Sequence, residues 1–205
     1  MLNYNSLRKL QLTFEKNMDI AERFIQLADL KDLRETIRGY RLIPIIRDKV
    51  GPLRRRIKNI SDKLYEVGLP QTEVFIVSCF EHCLKETYRI LKGSDLGKEE
   101  RCFLRPKEIR RLYSGILKKD VLDGDEELLK RVKAVIETRH VIVHRGGIVD
   151  EKAYKVFRDA GLNRGTISSE LQLTPEDVKQ DIKCLKAFIK KVFGHIFSAK
   201  AGSIP

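Results

Sequence analysis

One short segment of the sequence gathers side chains that can transfer protons and bind phosphate. Residues 137–147 read ETRHVIVHRGG and contain Arg139, His140 and His144. A histidine with a pKa of about 6.5 can accept and donate protons at neutral pH, so either histidine could act as a general acid or base. An arginine guanidinium matches the oxygens of a phosphate and stabilises negative charge that grows on them. These residue types therefore suit chemistry at a phosphate group.

The segment that carries these side chains is predicted to be a helix over residues 125–144. Asp123 or Asp125 can cap its N-terminus, and the glutamates that follow suit the positive end of the helix dipole. Gly146 and Gly147 are expected to end the helix, because glycine adopts the left-handed conformation that stops a helix.

The buried stripe of this helix is predicted to run through Ile136. It further contains Leu129, Val132 and Val143, which fall within about 40° of Ile136 at about 100° per residue. Measured from Ile136 on the same scale, Arg139 lies about 60° to one side of the stripe. His140 lies about 40° to the other side, and His144 about 80° to that same side. Cationic or titratable groups therefore lie on or beside a face that should be apolar.

An arginine on such a face requires an explanation, because arginine is rarely buried without a partner. The stripe could open into a cleft, or a partner subunit could pack there. In the third alternative, Arg139 forms an ion pair with a buried carboxylate such as Glu81 or Glu86. The first two alternatives make a functional site and the third is purely structural.

Charge favours a polyanionic partner. The chain has 205 residues and a formal net charge of +12, which is typical of proteins that bind nucleic acid and, less often, anionic membrane surfaces. Two basic runs could form a track for the phosphates of a nucleic acid, although each could also be a solvated helix face. They contain Arg54, Arg55, Arg56 and Lys58 in the first run, and Lys107, Arg110, Arg111, Lys118 and Lys119 in the second. Tyr113, inside the second run, could stack on a base or belong to the core.

The rest of the sequence indicates an all-α bundle of five or six helices in one domain. Helical spacing covers residues 4–40, with breaks at Pro44 and at Gly51-Pro52, and separate helices are predicted over 54–64, 71–92 and 106–119. Thr174-Pro175-Glu176-Asp177 predicts the start of a last helix that extends to about Phe197. Residues 164–173 allow a small β-hairpin or an extended arm, and 151–160 a short helix.

Several classes of protein are disfavoured. The sequence has no Walker-type phosphate loop, no G-x-S-x-G motif and no dinucleotide fingerprint, which argues against ATPases, α/β-hydrolases and Rossmann enzymes. It has no apolar stretch long enough for a membrane span and no signal-peptide pattern, so we expect a cytoplasmic protein with reduced cysteines. His140 and His144 have a spacing that can bind a metal, but no HEXXH motif or nearby carboxylate completes a site. Cys79, His82 and Cys83 lack a zinc-finger spacing and are expected in the core. No cofactor is expected.

Arg139, His140 and His144 resemble the R-x4-6-H motif of the HEPN (higher eukaryotes and prokaryotes nucleotide-binding) ribonucleases. In that family the residue after the arginine is typically polar, as His140 is. The following RGG-I-V-D stretch and the pattern L-Q-L-T-P-E-D-V before a long amphipathic helix are also similar to HEPN proteins of prokaryotic defence and toxin systems. The resemblance covers roughly residues 70–195 of a single domain over 1–205. Residues 1–60 match only as helices.

This resemblance implies a metal-independent endoribonuclease. Two protomers would face one cleft, the 2′-OH of RNA would attack the adjacent phosphorus, and the products would be a 2′,3′-cyclic phosphate and a 5′-OH. His144 would be the general acid or base and Arg139 the phosphate clamp, while His140 would orient the substrate or carry a second proton. Arg145, Arg54, Arg55, Arg56, Lys107, Arg110 and Arg111 are the expected RNA-binding residues.

The sequence leaves a second function open. A HEPN module without catalytic activity could bind nucleic acid, a nucleotide or a partner protein. An enzyme of this kind could also be a toxin or defence effector that a cognate antitoxin holds inactive. We expect a homodimer with a composite active site in the enzymatic case.

Overall fold

The protein is an all-α bundle, as the sequence predicts. The computed structural model describes the backbone of residues 3–28 and 47–201 and the side chains of residues 3–26 and 66–198. Within these ranges the elements are α1 (Tyr4–Ala28), α2 (Arg47–Lys92), a 3-10 helix (Gly97–Leu104), α3 (Pro106–Leu117), α4 (Glu126–His144), α5 (Glu151–Asp159) and α6 (Pro175–Ala201). None of the helices in the described ranges has the length and apolar character that a bilayer span requires.

Helix α4 lies between two apolar clusters. Its side chains Leu129, Val132 and Ile136 join the main core with α1, α2, α3 and α6. On another face, Ala134 and Val141 join a smaller cluster with α5 and its flanking residues. A helix that is buried on two faces is held firmly at both, so its last turns have a defined position.

Helix α2 corrects one sequence prediction. The separate helices expected over 54–64 and 71–92, with a break at Gly51-Pro52, are one continuous helix of 46 residues that also passes through Pro70. An internal proline costs about 3 kcal/mol because it removes a hydrogen bond and crowds the preceding turn. Burial of Ile76 and Phe80, each 0% exposed, stabilises by about 1.5–3 kcal/mol per side chain. Packing of this kind offsets the free-energy cost of the internal prolines.

Both predicted ends of α4 and the predicted start of α6 are confirmed, whereas α6 extends to Ala201 rather than to about Phe197. The side chain of Asp125 accepts a hydrogen bond from the backbone N–H of Leu128 at 3.0 Å and caps α4. Thr174 Oγ1 accepts from the N–H of Asp177 at 3.1 Å, and the Asp177 carboxylate accepts from the N–H of Thr174 at 2.9 Å. This reciprocal pair satisfies N–H groups that the first turn of α6 leaves free.

Residues 161–174 form an extended arm that returns to the end of α4. Its backbone bonds to the turn after α4, with Ser168 donating to Val149 at 2.8 Å and Leu171 donating to Gly147 at 2.7 Å. A single isolated antiparallel bridge joins Ile148 to Glu170, so the hairpin alternative is not formed in this segment. The arm therefore fixes the backbone directly after the Arg139–His144 segment.

Candidate functional site

Arg139, His140 and His144 lie in the last two turns of α4, where the helix emerges from the core. Arg139 and His140 are half-buried, and His144 is exposed. The rings of His140 and His144 are neighbours, with centroids 5.4 Å apart and planes inclined by 35°. The helix predicted from the sequence thus extends through His144, and it brings both histidines to one surface.

The apolar stripe through Ile136 does not continue to the end of α4. Ile136 is 3% exposed, but Val143, predicted to lie on the same buried stripe, is 45% exposed. In the last turns the buried face instead contains Thr138 and Val141, which pack on the other side of the helix. The prediction for Val143 is wrong because the buried side of α4 changes along the helix. Its first turns pack in the main core, and its last turns pack against the smaller cluster that contains α5.

Arg139 has no ion-pair partner among the side chains that the structure describes. Its Nε is shielded from water and makes no hydrogen bond. The carboxylates considered from the sequence have other partners, since Glu81 pairs with Lys85 and Glu86 with Arg89. The salt-bridge explanation for Arg139 is therefore not observed within the described part of the chain. A guanidinium without a counter-ion can bind an external anion.

Glu137 organises the cations beside the motif. This carboxylate is almost fully buried, and it lies 2.8 Å from Nη1 of Arg145 and 3.2 Å from Nζ of Lys152. Arg145 also pairs with Asp150 at 3.0 Å, which ties the turn after α4 to the start of α5. Of the predicted RNA-binding residues, Arg145 is thus engaged in holding this turn.

The environment of His140 favours its neutral form. Burial lowers the pKa of His140 below its ordinary value, and the charges of Arg139 and Lys152, together with His144 when it is protonated, lower it further, whereas Glu137 opposes them. A neutral imidazole can accept a proton. His140 is therefore suited to the role of a base or a hydrogen-bond acceptor near neutral pH.

A buried polar cluster that the sequence prediction missed lies next to the motif. Arg164 of the arm is 1% exposed and donates hydrogen bonds to the Thr138 hydroxyl and to the Asp181 carboxylate. Glu73 of α2 is fully buried beside this pair. The cluster joins the arm to α2, α4 and α6. Its contact on α4 is Thr138, the residue directly before Arg139. An acidic residue inside the apolar run of α2, QTEVFIV, was a signal that could have revealed it.

Glu73 is expected to be protonated in the folded protein. Burial raises the pKa of Glu73 well above its usual value, and the neighbouring carboxylate of Asp181 raises it further. Both carboxyl oxygens of Glu73 are buried without a hydrogen-bond partner among the described residues. A neutral Glu73 leaves Asp181 as the charged partner of Arg164, although burial raises the pKa of Asp181 as well.

We expect Glu73→Gln to stabilise the fold increasingly as the pH rises. A raised folded-state pKa means that the contribution of Glu73 is fully present below its unfolded pKa of about 4.3 and is lost as the pH rises through the folded value. Glutamine does not ionise, so the variant lacks that loss. Denaturant unfolding of both proteins between pH 4 and pH 8 measures the difference, and Glu66→Gln on the exposed side of α2 is the control. A difference that does not change with pH would contradict the assignment.

The second basic run lies on a helix as predicted, but this helix ends at Leu117 rather than at residue 119, and its cationic residues differ in availability. Lys107 is exposed, whereas Arg110 forms ion pairs with Asp120 and Glu126, and Arg111 pairs with Glu108. Tyr113 is fully buried and donates a hydrogen bond to the carbonyl of Leu84 at 2.5 Å, so it belongs to the core. The side chains of Arg54, Arg55 and Arg56 lie outside the described residues.

The described residues contain no group of three or more His, Cys, Asp or Glu side chains placed to hold a metal ion. Cys79, Cys83, Cys102 and Cys184 are free thiols. Burial raises the pKa of Cys83 to about 12, so this thiol stays protonated at neutral pH. Cys83 therefore belongs to the core, as the sequence predicts, whereas His82, which was expected there as well, is exposed.

Comparison with known proteins supplies no relative: no family model, no curated protein and no solved structure matches this chain.

Proposed function

We propose that the chain is a HEPN-type, metal-independent endoribonuclease that cleaves RNA at the surface formed by Arg139, His140 and His144. The observation that carries the proposal is the guanidinium of Arg139, which has no ion-pair partner among the described side chains and lies beside two neighbouring histidines. The nearby cations Arg145 and Lys152 share the carboxylate of Glu137, so the charge of Arg139 can neutralise an anion from outside. A phosphodiester supplies that anion, and the histidines supply proton transfer at the same place.

The roles of the side chains follow from their exposure. Exposed His144 takes the proton of the ribose 2′-OH, whose oxygen attacks the adjacent phosphorus. The bond from phosphorus to the 5′-oxygen breaks, and this oxygen takes a proton to become the 5′-OH. The proton comes from a second acid, either His140 after it has accepted one or His144 of a second copy. Arg139 binds the phosphate oxygens as negative charge accumulates.

A homodimer suits this arrangement. Val143, Ile148 and Ile167 expose large apolar side chains, 45%, 42% and 50% exposed, on or next to the turn and arm that follow the motif. Burying apolar side chains of this kind would favour association of a second copy, and two motifs would then share one cleft. Sedimentation velocity at assay concentrations measures the association, and a strictly monomeric active protein would contradict the composite site.

The test of the function is the chemistry of the products. End-labelled single-stranded RNA is incubated with the protein in EDTA, and the ends are analysed by phosphatase and kinase treatment. We expect 2′,3′-cyclic phosphate and 5′-OH ends, and no cleavage at positions that carry a 2′-deoxyribose, because the attacking oxygen is absent there. Cleavage at 2′-deoxy positions, or 5′-phosphate ends, would overturn the proposed mechanism.

The alternative is a HEPN module that binds without cutting. Absence of cleavage on several RNAs, with the protein folded, would favour that module and leave the surface as a binding site. A role as a toxin or defence effector is part of the same proposal, in which an antitoxin would cover the surface around His144. Growth arrest on expression of the wild-type protein, relieved by His144→Ala, is the expected result for a toxin. Equal growth of cells that express the wild-type protein and cells that express His144→Ala would argue against a toxin.

A further inference from the structure

An open basic groove lies at the other end of α4 from the motif. It encloses about 720 Å³, and its floor includes Leu129 in the first turns of the helix. The groove is lined by Lys107, Arg110, Arg111, Ser114, Lys118, Lys119, Asp120, Glu126 and Leu129. Five of these residues are cationic and two are acidic, so the lining carries an excess of positive charge.

Arg110 pairs with both acids of the groove, and the lysines of the groove have no carboxylate partner among the described side chains. Its guanidinium binds Asp120 through two hydrogen bonds of 2.9 and 2.6 Å, and it also binds Glu126. Hydrogen bonds from Arg110 hold the pKa of Asp120 well below its usual range. Lys107, Lys118 and Lys119 make no ion pair with any side chain that the structure describes. Their ammonium groups are therefore free to bind an external anion.

The backbone that carries Lys118 and Lys119 is held in one conformation. Lys118 ends α3 with a left-handed φ of 54°. The hydroxyl of Ser114 accepts a hydrogen bond from the N–H of Val121 at 3.3 Å, and the Asp120 carboxylate accepts two further backbone N–H groups of the same turn. A turn held in this way carries both lysines, which line the groove, and reduces the backbone entropy lost on binding.

We propose that this groove binds the phosphodiester backbone of single-stranded RNA at a site separate from the Arg139–His144 surface. Leu129 and His144 are 15 residues apart on α4, which corresponds to about 22 Å. An open channel lined by flexible ammonium groups suits a chain of phosphates. Phosphate contacts carry no sequence information, and Tyr113 is buried and cannot stack on a base, so we expect the contact to be independent of base sequence. RNA as the polyanion rests on the proposed function.

Salt dependence of RNA affinity tests the groove. Fluorescence anisotropy of a labelled single-stranded RNA is measured in EDTA on a His144→Ala background, so that the RNA stays intact. Each phosphate contact contributes about 0.7 to the slope of log affinity against log salt. This slope is negative, and we expect Lys118→Gln/Lys119→Gln to reduce its magnitude by about 1.4. The matched control, Lys9→Gln/Lys16→Gln on the exposed side of α1, removes the same charge outside the groove and is expected to leave the slope unchanged.

An unchanged slope in the groove variant, or an equal reduction in both double variants, would overturn the proposal. If Lys118→Gln/Lys119→Gln does not fold by circular dichroism, Lys107→Gln is measured instead against Lys9→Gln, with an expected reduction of about 0.7, because Lys107 is exposed on the surface of α3. The two proposals fail separately. RNA binding through the groove without cleavage by wild type would reject the ribonuclease alone, whereas cleavage with an unchanged slope would reject the groove alone.

Discussion

We expect His144→Ala to slow RNA cleavage by about 10²–10⁴-fold, the usual contribution of a general acid or base. His144 is exposed in the last turn of α4, and the alanine removes no contact with the core. The loss should therefore appear in the cleavage rate, while the free energy of unfolding stays near that of wild type. Single-turnover cleavage in EDTA and denaturant unfolding measure the two quantities on the same preparations.

Two substitutions of Arg139 distinguish the effect of its positive charge on the cleavage rate from the effect of its planar shape. Arg139→Ala removes both the positive charge and the planar fork, whereas Arg139→Lys retains the charge alone. If the guanidinium binds two phosphate oxygens in the transition state, the lysine variant restores only part of the lost rate. Full activity of Arg139→Lys would indicate a purely electrostatic role.

Matched controls protect both results from a general effect of mutation. His82→Ala on α2 and Arg8→Ala on α1 remove the same residue types from exposed positions outside the motif. Both controls should cleave RNA at the wild-type rate. A His144→Ala protein that cleaves as fast as the His82→Ala control would refute the assignment of the catalytic histidine.

The sequence predicted those parts of the fold that are determined locally. The ends of α4 and α6 depend on Asp125, Thr174 and a glycine pair, whose side chains or backbone act within a few residues. The continuity of α2 through Pro70 depends on packing against other helices, which are distant in sequence. A local pattern contains no information on that packing, so the predicted break was wrong.

In the candidate site, too, the sequence predicted the features that depend on local spacing and missed those that depend on packing. The helical spacing placed His140 and His144 on one surface, and the structure has their rings 5.4 Å apart. The spacing could not show that Val143 is exposed, because the side of α4 that is covered depends on where α5 and the arm pack. Nor could it connect Arg164 with Asp181, which are 17 residues apart and meet only through the path of the arm.

The buried pair of Arg164 and Asp181 supports the second large effect. Asp181→Ala is expected to lower the free energy of unfolding by about 3–5 kcal/mol, because it removes the carboxylate that binds the buried guanidinium of Arg164. Arg164 is 1% exposed, so water cannot replace the lost carboxylate. The matched control is Asp19→Ala, which removes an exposed carboxylate that pairs with Lys186 of α6. That loss should be at most about 1 kcal/mol. Urea unfolding followed by circular dichroism compares the variants.

The double variant Arg164→Met/Asp181→Leu shows whether Asp181→Ala destabilises the fold through the unpaired charge of Arg164 or through the loss of the contact itself. Apolar residues of similar size remove both charges together, so the double variant should be more stable than Asp181→Ala. A double variant that is as unstable as the sum of its single variants would show that the two residues act independently. The arm meets α4 at Thr138, next to Arg139. We therefore expect the folded double variant to cleave RNA more slowly than wild type, because Arg139 is less well positioned without this anchor.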